Sequence, residues 1–281
     1  MASSSSSESL GGATPIFWHV DDIGWTEVQR QQNADGSVSV VREKWPIIRP
    51  DFLSAHVHYE AGMVVRRHGH RSNHVVFVLG GSGWIGTEPC EPGTHIHVPL
   101  GSAFGPIIAG PQGLTCWELS FGEFGGWGDQ PELYANEIAE RGITPLPDPP
   151  LEIGDWFVDP RGDWGGERPS PKVEGLNSVM THVRDFEWTD DSTSVLREKL
   201  LITKPNFTSA YVELSPNTGR ESIVNSDHQL IWIIEGGAWF GDRWCTADTH
   251  VEIPQSASCS SIVAGDEGVL FLELSDKNAQ N

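Results

Sequence analysis

REKWPIIRPDFLSAHV (Arg42–Val57) recurs as REKLLITKPNFTSAYV (Arg197–Val212), an offset of 155 residues. Without a gap, the same offset lays VFVLGGSGWIG (Val76–Gly86) on IWIIEGGAWFG (Ile231–Gly241), Cys90 on Cys245, and THIHVP (Thr94–Pro99) on THVEIP (Thr249–Pro254). Upstream, HVDDIGWTE at His19 matches HVRDFEWTD at His182 with a larger offset, so the second copy is shorter in the loop before its REK. A repeat of this length fixes the architecture as two homologous domains, and 281 residues suffice for two hydrophobic cores. Within each copy, runs such as SAHVHYEAG, HVVFVLGGSGWIG and THIHVPLG are rich in β-branched and aromatic residues and end at Gly or Pro. The fold class predicted is all-β: short antiparallel strands arranged as a double-sheet jelly roll in each copy.

Between the copies the composition turns to Gly, Pro and acidic residues with interspersed tryptophans. PELYANEIAER predicts one short helix over Pro131–Arg141, with Pro at its start. The remainder reads as linker, and Trp127, Trp156 and Trp164 are too many for solvent exposure, so it is expected to pack over a domain as a lid. A net charge of −21 argues against nucleic acid and anionic membrane surfaces as partners, because phosphate recognition needs concentrated Lys and Arg. Small molecules remain as the partner class. MASSSSSESLGG reads as a polar tail rather than a secretory signal, and no apolar run reaches a membrane-spanning length, so a cytoplasmic protein is expected. The four cysteines, Cys90, Cys116, Cys245 and Cys259, form no C-x-x-C pair and are read as reduced.

One stretch of the first copy carries chemistry: RRHGHRSNH, Arg66–His74, in an otherwise acidic chain. Its pattern resembles the cupin superfamily. Gly62 precedes His68-Gly69-His70, His74 stands where that motif has Glu, and Gly81 follows; Pro99-Leu100-Gly101-Ser102-Ala103-Phe104 is similar to the second motif, with Phe104 at its usual histidine. The wording around Phe104, GSAFGPIIAGPQG, resembles a ChrR-like and dihydroxyacetophenone dioxygenase-like branch. The resemblance implies a bicupin: a tail over residues 1–13, a metal-binding jelly-roll β-barrel over 14–124, a Gly/Pro/Trp-rich linker over 125–175, and a second barrel over 176–281. It also implies a homodimer.

Two histidines two apart project from one strand face, and His74 is expected to swing back toward them from the next strand after a short turn. Three neutral imidazoles suit one divalent transition ion, iron first, with Mn, Ni, Co or Zn as alternatives, rather than Ca or Mg. Without a carboxylate such a site carries the full +2 charge and favours an anionic or enolisable substrate. In that scheme His68, His70 and His74 are the ligands, Phe104 leaves a position open, and Arg66 or Arg67 attracts an anionic group. His97 is either a fourth ligand or acid/base group, or a hydrogen-bonded core histidine. His95 leans to the core, because the second copy keeps its equivalent His250, and His56 and His58 read as packing residues.

The offset puts Ile223, Asn225, Gln229 and Cys259 at the four ligand positions of the second copy, which is therefore expected to be metal-free. His228 and Glu252 remain there as a structural pair. The function implied is a mononuclear metal dioxygenase acting on a small keto, enol or phenolic compound. The alternatives are a non-redox metal-dependent lyase, isomerase or cyclase, and a small-molecule-binding cupin without turnover.

Overall fold

The computed structural model describes residues 14–151, 170–190, 195–205, 207–224, 227–255 and 257–276. In chain order the strands begin with β1 (Ile16–His19), β2 (Thr26–Gln32), β3 (Val38–Arg49), β4 (Phe52–Tyr59), β5 (Val64–Val65) and β6 (His68–Ile85). β7 (Glu88–Cys90), β8 (Thr94–Val98) and β9 (Ile107–Gly128) follow, then the helix α1 (Pro131–Arg141), β10 (Thr144–Pro145) and β11 (Val179–His182). The second copy contributes β12 (Thr189–Asp190), β13 (Leu196–Lys204), β14 (Phe207–Leu214), β15 (Gly219–Val224), β16 (His228–Phe240), β17 (Arg243–Thr246), β18 (Thr249–Ile253) and β19 (Ser258–Asp276). The α1 helix starts on Pro at N1 and ends at Gly142 with φ 65°, which takes the left-handed cap position. No helix among the described residues is long and apolar enough to cross a membrane.

The strands form two sheets with one topology. The first has the order β10-β2-β3-β4-β9-β6-β8-β11, and the second β12-β13-β14-β19-β16-β18-β1. Position for position, β2, β3, β4, β9, β6, β8 and β11 correspond to β12, β13, β14, β19, β16, β18 and β1, so the sequence repeat is a repeat of strand order. Neither sheet closes on itself; each remains open between its two edge strands, where a closed barrel was expected.

The units also divide the chain differently from the spans 14–124 and 176–281. One compact unit runs from Val20 to Phe186, and the other takes the chain from Glu187 onward together with β1. The reason is backbone pairing at an exposed edge. β11 precedes the second copy but pairs with β8 of the first, Val179 opposite His97 and Thr181 opposite His95. β1 precedes the first copy but pairs with β18 of the second, Ile16 opposite Glu252 and Trp18 opposite His250.

Each core lies on the face that the alternation predicts. In the first unit Val76, Val78, Ile96, Val98 and Leu114 are all within 1% of full burial. In the second, Ile231, Ile233, Val251, Ile253 and Phe271 are at 0% exposure. Of the cysteines, Cys90, Cys116 and Cys245 are buried, and no disulfide forms among the described residues. Trp127 is buried, while Trp156 and Trp164, on which much of the lid expectation rests, lie outside the described residues.

Two features yield tests. Gly81 and its repeat partner Gly236 share φ near 72°, and a Cβ on either would meet a backbone oxygen, of Gly113 at 2.1 Å or of Gly268 at 2.2 Å. Gly81→Ala therefore combines left-handed strain with a clash and is expected to lower stability by at least about 2 kcal/mol in urea unfolding. His250 is fully buried between Trp18 and Trp232, and burial pushes its imidazole down to about 3. The unfolded chain binds a proton near pH 6.5 that the folded chain refuses until about pH 3, so stability falls as pH drops through that window. His250→Phe is expected to flatten the fall, by up to about 1.4 kcal/mol per pH unit, when urea midpoints at pH 7 and pH 5 are compared with those of the parent chain.

Candidate metal centre in the first sheet

His68, His70 and His74 lie on a single strand, β6, rather than on two strands joined by a turn. Opposite them β9 supplies Gly128, Gly126 and Ser120, and a register shift between His70 and Ser72 marks a bulge. The extra residues of the bulge lie on β9, so positions 68, 70 and 74 keep the same parity on β6 and all three rings line one cavity. Gly69 between the first two histidines is needed for close approach: a Cβ there would lie 2.5 Å from the Ser102 carbonyl and from the Trp127 ring.

The rings stand close together. Their centroids are 5.1 Å apart for His68–His70 and 4.2 Å for His70–His74, with near-perpendicular planes. Phe104 joins β6 through paired backbone hydrogen bonds with His68, of 2.8 and 3.0 Å, and lays its ring 4.7 Å from that of His68 and 5.5 Å from that of His74. His68 donates from Nδ1 to the Arg66 carbonyl at 2.8 Å. Burial pushes this imidazole down to about 4, so at neutral pH its lone pair sits on Nε2. Burial, reinforced by the His74 and His68 imidazoles, holds His70 well below its ordinary range. Nε2 of His70 and Nδ1 of His74 are buried without a hydrogen-bond partner.

The sequence did not single out Glu118. On β9 it pairs with Ala55 and Val76 and so points to the interior. Its Oε2 lies 3.2 Å from His74 Nε2, and its Oε1 accepts from the Tyr59 hydroxyl at 2.6 Å. Burial pushes this carboxyl up, but the hydrogen bonds and charge of His74 and the Tyr59 hydroxyl outweigh it, and the net shift is downward. A signal for Glu118 was present: the repeat lays WELS (Trp117–Ser120) on LELS (Leu272–Ser275), which keeps a charged residue in an otherwise apolar strand.

The cavity measures about 150 Å³ and is lined by the three histidines, Glu118, Tyr59 and Arg66 among others. Arg66 also lies over the Tyr134 ring of α1, 5.4 Å away. Arg67 turns elsewhere, to Asp129 at 2.9 Å and to the Gly105 carbonyl. Past α1, β10 pairs with β2, Leu146 donates to the Arg30 carbonyl, and Asp148 and Leu151 reach the cavity wall, so this part of the linker covers the site.

His97 is not brought to the cavity. It pairs with Val75 on β6, whereas His74 pairs with Val98, so the pleat turns His97 to the opposite face, beside His95 and Phe77. His95 is buried on that face, and burial pushes it down to about 3. His56 packs 5.5 Å from Trp25, and His58 shares a 2.9 Å hydrogen bond with Thr115.

In the second unit, Ile223 and Cys259 are backbone register partners on β15 and β19, and Asn225 lies outside the described residues. Gln229 donates to Glu273 at 3.2 Å. His228 and Glu252 form a buried pair at 2.8 Å.

A metal fits the first unit by donor chemistry. Three imidazoles and one carboxylate border a mostly apolar cavity, and an inward ring nitrogen lacks any partner. They form a set of donors rather than a finished coordination sphere, since among the described residues no three such side chains already close on a common point.

No family model and no curated protein matches the sequence. Solved structures do share the fold. A Nostoc punctiforme protein, provisionally assigned as a dioxygenase, superposes with a TM-score of 0.67 at 11% identity, over 95% of this chain and 84% of that one. Oxalate decarboxylase from Bacillus subtilis gives 0.59 at 16% identity, over 95% and 78%. Oxalate decarboxylase from Lactobacillus farciminis, solved with formate, gives 0.59 at 15% identity, over 95% and 87%. At these identities the likeness is one of fold alone.

His97→Ala is expected to leave divalent-ion affinity within about twofold of the parent chain, because the pleat holds the ring on the far face; equilibrium dialysis against Zn²⁺ measures this.

Proposed function

We propose that the chain is a mononuclear transition-metal enzyme whose first unit holds one divalent ion, iron first, through His68, His70 and His74. The reaction proposed is dioxygenation of a small keto, enol or phenolic compound. The observation that carries this is that three imidazoles, buried at His68 and His74 and half-buried at His70, line one cavity, with the buried His70 Nε2 facing no hydrogen-bond partner. Support also comes from the shared fold with the provisionally assigned Nostoc dioxygenase and from the ChrR-like wording around Phe104.

When bound, such an ion supplies Lewis-acid polarisation and, if redox-active, electronic coupling to dioxygen. The chain's own residues set the rest. Phe104 covers one side of the imidazole cluster without donating a ligand atom. Arg66 places a positive charge on the cavity wall, steadied by Tyr134, and attracts an anionic or enolised substrate. Val41, Leu53, Ala55 and Leu151 keep water from that wall.

A second reading, a non-redox lyase, draws on the oxalate decarboxylases that share the fold. Iron-loaded protein offered small diketones, hydroxyketones and phenols in an oxygen electrode separates the two. Oxygen uptake that falls at least about 100-fold in His70→Ala is the expected result. Full turnover of a small carboxylate without oxygen supports the lyase, and no metal in protein purified without a His tag removes both.

A further inference from the structure

The two units carry the same buried carboxylate and meet it differently. Glu118 and Glu273 occupy equivalent positions, with side chains 12% and 11% exposed. A carboxylate withdrawn from water this far needs a compensating positive charge or several strong donors. In the second unit the chain supplies the charge itself: Arg220 lies 2.8 Å from Glu273, and Gln229 donates to the same carboxylate. Arg220 stands where the first unit has Val65, Gln229 where it has His74, and Leu214 where it has Tyr59.

In the first unit no Lys or Arg among the described residues pairs with Glu118. The chain gives it no permanent cation: its partners are the Tyr59 hydroxyl at 2.6 Å and the His74 imidazole at 3.2 Å, which is charged only when protonated. Val65, Tyr59 and Glu118 all line the cavity that the three histidines face. The 3.2 Å between Glu118 Oε2 and His74 Nε2 also matches two ligands sharing one ion. Bonds of about 2.1 Å put adjacent donors about 3.0 Å apart in octahedral and about 3.4 Å apart in tetrahedral coordination.

We infer that Glu118 is a fourth, carboxylate donor to the ion of the first unit, that Tyr59 is its positioning residue, and that Arg220 is the built-in cation replacing that ion in the second unit. The inference rests on the proposed metal reading. It corrects the charge expected of a three-histidine site: with Glu118 bound, the net charge falls from +2 to +1. Tyr59 holds Oε1 and leaves Oε2 turned toward the imidazoles, which accounts for its appearing with the histidines and giving way to leucine where they are lost.

The test uses the full chain stripped of metal and titrated with Zn²⁺, then with Co²⁺ for its visible spectrum. Glu118→Gln is expected to weaken Zn²⁺ binding about 100-fold and to change the Co²⁺ bands, with Glu118→Asp restoring part of both. Tyr59→Phe is expected to weaken binding about 10-fold. Val65→Arg, which installs the second unit's cation, is expected to abolish binding while far-UV circular dichroism is kept. In metal-free protein, Glu118→Gln is expected to leave the urea midpoint unchanged or raise it, whereas Glu273→Gln lowers it by breaking a buried ion pair. If the parent chain binds Zn²⁺ and Glu118→Gln binds it equally, with the same Co²⁺ spectrum, the inference falls and the three-histidine site stands. If the parent chain binds no divalent ion, the metal reading falls and takes the inference with it.

Discussion

The pairing of β6 with β9 is the constraint on which the first unit depends. The two strands run antiparallel from His68–Gly128 to Ile85–Ile107, with three register shifts along the way. A ladder of that length holds the apolar side chains of both strands on one core face, and each shift adds bend and twist to the sheet. The same ladder places Glu118 opposite Val76, two residues along β6 from His74. The site is thus a consequence of how two long strands are registered and needs no separate scaffold.

Period-two alternation then separates two sets of histidines that are close in sequence and in type. His74 shares its face with Val76, Val78, Ile96 and Val98, the core residues, and turns to the cavity. His95 and His97 occupy the intervening positions of β8 and turn away, so their burial reflects packing on the opposite face. Burial on both faces of one strand hides this distinction from any measure of hydrophobicity, and only the register of β8 against β6 reveals it.

The second unit shows what the fold does when the imidazoles are lost. Its strand order is unchanged, and its buried carboxylate is kept, but the cation is a guanidinium carried on the neighbouring β15. The ion proposed for the first unit would be removable or exchangeable, whereas Arg220 is covalently part of the chain. The contrast separates a centre open to ligands from one whose charges are internally matched, on the same arrangement of strands.

Much of this was legible in the sequence. The 155-residue offset disclosed two copies of one topology, because identical burial patterns on equivalent strands demand similar residues. The α1 helix followed from Pro131, whose fixed φ and missing N–H suit the first helical turn, and from apolar residues at helical spacing. The H-x-H spacing disclosed His68 and His70, because residues two apart on a strand share a face. Three things were decided only by tertiary structure. The open sheet edges and the pairing of β1 and β11 with the strands of the other copy depend on which backbone edge is vacant, and no side-chain pattern records that. The facing of His97 depends on cross-strand register. The placement of Glu118 depends on a strand more than forty residues distant in the chain, brought beside His74 by hydrogen bonds between backbones that have no sequence signature of their own.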